Sequence, residues 1–219
     1  MSIIALSNPE LLLATDERGA RYAGGDQHWY PKEGFVPPGA CGATTASNVL
    51  AYLLRSRPAL FEAARKGGLG GLAAPDAPVM GKAGYVEFMK QVYRFLYPRA
   101  GGLMAGDFLD GIGNLAREYG LPITAERLKA PISRAKRPSF SEAAAFVGAS
   151  LAEDVPVAFL ILSNGCVANL DTWHWVTILA LDAEAGRAEI ADNGLKFWAD
   201  IGAWLHTSIM GGSFVRLRV

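Results

Sequence analysis

Apolar residues change their spacing about two thirds of the way along this chain, and that change restricts the architectures open to it. Before the change they recur at helical intervals. Ala43, Ala46, Val49, Leu50, Leu53 and Leu54 make one stripe, which must end by Pro58 because proline disfavours helix at the residue before it. Tyr85, Phe88, Met89, Val92, Phe95 and Leu96 make a second stripe that stops at Pro98. Phe108, Leu109, Ile112, Leu115 and Tyr119 make a third, closed by Gly120. These aromatic-rich stripes read as core packing. Ser139-Phe140-Ser141-Glu142 has the capping-box pattern and opens a fourth helix through Leu151. Beyond it the pattern is that of strands. Residues 157–162 form a continuous apolar run, as in a buried strand. Residues 173–181 and 187–191 are two more strands joined by a hairpin loop, and 214–219 closes the chain. A short edge strand is expected within 121–128. Helices followed by strands predict the α+β class, with a helical layer packed on one antiparallel sheet.

A chain of 219 residues suits one globular domain, 1–219, and residues 1–25 read as an irregular N-terminal arm. The 21 basic and 21 acidic side chains balance, which argues against nucleic-acid or membrane-surface binding, since both call for a basic excess. The sequence shows neither a basic leader nor a run of ~18 apolar residues, so a cytoplasmic location is expected. Two cysteines, Cys41 and Cys166, do not make a disulfide scaffold. The cysteines and histidines offer no close ligand pair for zinc. The run Lys66-Gly67-Gly68-Leu69-Gly70-Gly71 lacks the Gly-Lys-Ser/Thr ending of a phosphate loop. No metal and no cofactor are therefore expected. That run and the glycine-rich stretch 101–106 read as flexible linkers or lids.

Cys41 lies in Pro37-Pro38-Gly39-Ala40-Cys41-Gly42-Ala43-Thr44-Thr45-Ala46, where a glycine-rich loop meets the first helix. A helix N-terminus presents unpaired N–H groups and partial positive charge, which favour a thiolate. Gly39 and Gly42 leave room for a substrate carbonyl, and the main-chain N–H of Cys41 is a candidate oxyanion donor. The alternative reading is a small buried hydrophobe. His174 opens a strand and shares a face with Val176, Ile178 and Ala180. A hairpin centred near Glu184 sets Asp192 opposite Val176, a diagonal neighbour of His174. A slip of one residue would exchange Asp192 for Asn193, which is the second choice as orienting group. Both are also ordinary turn residues in Asp192-Asn193-Gly194, and His174 alone could be a core histidine. Gln27 is an upstream amide that could serve an oxyanion. His28 and His206 are weaker candidate bases. Cys166 sits in the turn Ser163-Asn164-Gly165-Cys166 with no helix start after it. Trp29, Tyr30, Trp198 and Trp204 form either an exposed patch or a cleft lining.

The Cys41 segment resembles the nucleophile segment of papain-like cysteine peptidases, in the branch of bacteriocin-processing, double-glycine leader peptidases. His174-Trp175-Val176-Thr177-Ile178 resembles that branch's histidine strand, and Glu189-Ile190-Ala191-Asp192 the strand that follows. The resemblance covers the Cys helix and residues from about 155 to 200; residues 60–150 have no counterpart. It implies a papain-like fold, a helical layer with the Cys packed on a twisted antiparallel sheet with the His and Asp. It also implies a thiol hydrolase that cleaves a peptide or small amide substrate. The same triad can serve acyl transfer, as in transglutaminase-like and phytochelatin-synthase-like enzymes, and the same fold can serve as a binding module without turnover. Gln27 stands farther from Cys41 than the family's oxyanion glutamine, and Asp192 is followed by Asn193-Gly194 where the family has a proline or Trp-Gly. No transporter segment accompanies the motifs, so export-coupled cleavage is not implied.

Overall fold

A computed structural model describes residues 3–30, 39–96 and 102–219. In chain order its first elements are strands β1 (Ile3–Ala5), β2 (Leu13–Thr15) and β3 (Arg21–Ala23), then helices α1 (Cys41–Ser56) and α2 (Pro58–Lys66). Strand β4 (Met80–Gly81), helices α3 (Lys82–Tyr93) and α4 (Ala105–Glu118), strand β5 (Thr124–Ala130) and helix α5 (Phe140–Ala152) follow. The last part holds β6 (Val157–Ile161), β7 (His174–Asp182), β8 (Arg187–Asp192), β9 (Leu195–Asp200), α6 (Ile201–Thr207) and β10 (Gly212–Arg218). The fold is α+β, with the helical layer first and the main sheet drawn largely from the last third.

The main sheet runs β5-β10-β6-β7-β8-β9, and its pairings are antiparallel. The first half of β7 pairs with β6, from His174 to Ile178. Its second half pairs with β1, from Ala180 to Asp182. Helix α1 packs on β7 and β6, and nearly all of it is buried. α3, α2 and the segment 9–12 also pack against it. α5 opens with the capping box expected at Ser139 and Glu142 and lies on β7, β1, β10 and β6. Phe159, Trp204 and Phe214 make an aromatic core between β6, α6 and β10.

Residues 1–25 are not the irregular arm that the sequence suggests. β1 completes the edge of β7 where β6 ends, Leu12 and Ala14 are buried, and β2 builds a small second sheet with β3 and β4. Strands of three residues hold too little alternation to be read from a pattern. The chain breaks at Pro58 as expected, but proline at a first helical position starts α2 at once. The 67–71 run is packed in place, not a lid: Leu69 is buried, and a side chain on Gly71 would meet the Gly84 carbonyl at 2.6 Å. In the 101–106 stretch, Gly101 lies outside the described residues and Ala105 and Gly106 start α4. The suggested aromatic patch is absent too, since Tyr30 and Trp204 are buried. No helix among the described residues is long and apolar enough to cross a membrane.

Candidate active site

Cys41 is the first residue of α1, two residues earlier than the apolar stripe indicates. Pro37 and Pro38 of its motif lie outside the described residues. Gly39 has φ 112°, a backbone region that L side chains resist, and it turns the chain into the helix. Ala40, at the N-cap, has no side chain to cap the first turn. The N–H of Cys41 therefore has no intrahelical partner. The thiol is buried at 5 % exposure, and its sulfur lies 3.9 Å from the Gly39 carbonyl oxygen. Gly42 serves packing, not substrate access. A Cβ there would stand 2.7 Å from Leu103 Cδ2 and 3.1 Å from Trp175 Cδ1. Trp175 in turn donates its indole N–H to the Leu103 carbonyl at 2.7 Å and stacks on Phe108.

His174 and Asp192 come together through an irregularity in the β7–β8 hairpin. Near the turn the register pairs Asp182 with Arg187 and Ala180 with Glu189. Between Ile178 and Ala180 it shifts by one residue, so that Ile178 pairs with Ile190 and Thr177 with Ala191. Leu179 is the extra residue of a β-bulge. Had the turn-side register continued, Val176 would face Asn193. With the bulge, Asp192 takes that place, and its Oδ1 lies 2.8 Å from His174 Nε2. Asn193 does not orient the histidine. It sits at φ 45°, and its Oδ1 accepts the main-chain N–H of Gln27 at 3.3 Å.

His174 is 6 % exposed, and the Cys41 side chain is one of the two groups that favour its charged form. Nε2 is taken by Asp192, so Nδ1 is the nitrogen left for a second partner. Burial works against a charged imidazole here. The hydrogen bonds and charges of Asp192 and Cys41 outweigh it, and the ring's pKa is pushed up to about 10. The balance favours the imidazolium form of the ring.

Gln27 lies half-buried in a single turn of 3-10 helix, 27–29, that Asp26 caps through the His28 N–H. Its main chain is fastened beside Asp192 through Asn193, and its side-chain amide has no partner among the described residues. His28 is exposed and pairs with Asp26, His206 is exposed on α6, and Cys166 is exposed in a turn bonded to Thr207. None of these three joins the site. The sequence reading misses Asp171. One carboxylate oxygen of this exposed residue lies within 4.8 Å of ligand atoms of both His174 and Asp192, a trio with donors suited to a divalent cation. Its position three residues before His174 carries no pattern that would mark it.

No family model matches the chain, and no curated protein matches it. Among solved structures, the chain is similar to a double glycine motif protease from an AMS/PCAT transporter, crystallised in complex with the leader peptide. That likeness has 14% identity and a TM-score of 0.40, over 88% of this chain and 93% of that one. It is also similar to the N-terminal peptidase C39 like domain of the toxin secretion ATP-binding protein from Vibrio parahaemolyticus. There the identity is 14% and the TM-score 0.30, over 76% of this chain and 95% of that one.

Proposed function

We propose that this chain is a thiol hydrolase that cleaves a peptide or amide bond, with Cys41 as nucleophile, His174 as base and acid, and Asp192 as the group that holds the imidazole. The observation that carries this reading is the His174 ring, buried with Asp192 on Nε2 and within the electrostatic influence of the Cys41 side chain. The elements act as one domain, since nucleophile and base come from different layers.

The thiol proton passes to the His174 ring, which then holds it as an imidazolium, and the sulfur attacks the substrate carbonyl carbon. Charge develops on the carbonyl oxygen, where the unpaired N–H of Cys41 is the main-chain donor and the Gln27 amide a side-chain donor. His174 then gives its proton to the leaving amine, and the C–N bond breaks to leave a thioester. Water attacks the thioester while His174 takes a proton from it, and the carboxylic product leaves with the thiol restored. Asp192 keeps the Nε2 proton in place, so that Nδ1 remains the nitrogen that exchanges protons with sulfur and substrate. A cysteine at a helix start and a buried histidine held by a carboxylate support turnover over a passive binding module. An added amine that captures the thioester would mark acyl transfer on the same triad.

Alkylation tests the assignment. With iodoacetamide at neutral pH, the Cys166→Ala variant is expected to keep one fast-reacting thiol and Cys41→Ser to lose it. Fast labelling that stays with Cys166 in the Cys41→Ser variant would overturn the reading.

A further inference from the structure

We propose that Asn48 is a positioning residue: its buried amide sets the height of the Cys41 helix against the His174 strand and holds the Gln27 turn beside them. This inference rests on the thiol-hydrolase reading above. Asn48 is 2 % exposed, in the middle of an apolar helix where asparagine has poor propensity. Neighbouring Thr44 and Ser47 turn their hydroxyls back to carbonyls of their own helix. Asn48 instead reaches three other segments. Its Oδ1 accepts the Gly25 N–H at 2.8 Å and the Tyr85 hydroxyl at 2.7 Å, and its Nδ2 donates to Thr177 Oγ1 at 3.1 Å. The Gly25 N–H can only donate, so the amide has one orientation. Both lone pairs of the oxygen are then used, and Tyr85 and Thr177 are themselves fully buried.

Spacing ties this hub to the proposed chemistry. Asn48 follows Cys41 by two helical turns, a rise of about 10 Å. Thr177 follows His174 by three strand residues, also about 10 Å. The Asn48–Thr177 bond thus lies as far below the nucleophile on the helix as below the base on the strand. A slide of α1 along β7 would break this bond. The Gly25 bond leads on to Gln27, which Asn193 fastens next to Asp192. The close fit leaves no slack: a Cβ on Gly24 would stand 2.7 Å from Asn48 Oδ1.

The test compares Asn48→Ala with Thr177→Val, a near-isosteric change that removes only the acceptor of Nδ2 and stays informative if the alanine variant does not fold. Ser150→Ala is the control, since it deletes another buried hydrogen bond, to the Val155 carbonyl, in α5. Two readouts are taken on the full chain: NMR titration of the three histidines and the rate of Cys41 alkylation at fixed pH. Thr177→Val is expected to bring the His174 midpoint down from about 10 and to slow alkylation by roughly tenfold or more. Ser150→Ala is expected to lower the melting temperature and move neither. A Thr177→Val protein with wild-type titration and alkylation would overturn the positioning role and leave the function standing. A wild-type His174 that titrates near 6.5, with Cys41 reacting no faster than Cys166, would remove the site itself and the inference with it.

Discussion

Asp192 reaches His174 across the hairpin because one extra residue, Leu179, bulges from the longer strand. The carboxylate at 2.8 Å from Nε2 does two jobs: it fixes which ring nitrogen is left for a second partner, and it stabilises the imidazolium. Asparagine can do only the first. In Asp192→Asn the His174 titration is expected to fall below its midpoint of about 10, with activity reduced about tenfold. Asp192→Ala, which frees the ring, should cost roughly a further hundredfold. Asn193→Ala should spare the histidine titration and loosen only the Gln27 turn. Histidine NMR and kcat measured on the three variants check this ordering. Equal losses in Asp192→Asn and Asn193→Ala would contradict it.

A hairpin centred on Glu184 sets Asp192 opposite Val176, and so does the structure. Yet the real turn is closed by Asp182 and Arg187, which centres it later. The bulge then restores the register, so two departures cancel. A bulge leaves no mark in a strand as uniformly buried as β7. Helix α1 was legible because its stripe runs for three turns, and His174 because a strand must begin somewhere near it. The three-residue strands at the N-terminus carry too few residues to show a period. β9 was hidden as well, since Leu195 and Lys196 are both exposed and the alternation fails at its start. Asp171 and Asn48 owe their placement to tertiary contacts alone. A buried asparagine on the face opposite the apolar stripe shows no conflict in the sequence, and its three partners come from three distant segments.

Gly42 provides a packing test beside the nucleophile. Alanine there would press on Leu103 and Trp175 at 2.7 and 3.1 Å. Overpacking of a buried contact costs about 1–3 kcal/mol, so Gly42→Ala should unfold at correspondingly lower denaturant. Leu103→Ala opens space on the same side, and the double variant should recover part of the loss relative to the sum of the single changes. Strict additivity in urea melts would mean that the methyl group meets something other than Leu103.

Trp173 holds φ 53° while the residue is 54% exposed. A bulky residue in the left-handed region carries a cost of roughly 1–2 kcal/mol that little burial repays. Trp173→Gly is expected to stabilise the fold by about 1 kcal/mol, read as a raised denaturant midpoint. The residue directly precedes His174, so kcat and KM measured on the same variant show what the strain serves. A higher KM with unchanged kcat would set the indole against bound substrate.

His174 also makes stability depend on pH with a definite sign. Its folded-state pKa is raised, from 6.5 to about 10, so the folded protein binds this proton more tightly than the unfolded chain does. The contribution to stability is complete below about 6.5 and is lost as pH climbs through about 10. Stability should therefore decline between those limits in the wild type. Burial alone would have produced the opposite slope, because it disfavours the charged ring; the partners Asp192 and Cys41 reverse it. Denaturant melts at pH 6, 8 and 10 on the wild type and on His174→Gln isolate the contribution of this group. The expected outcome is a decline across pH 6–10 that is clearly shallower in His174→Gln. Parallel curves for the two proteins would show that the imidazolium is no better held in the folded state than in the unfolded one.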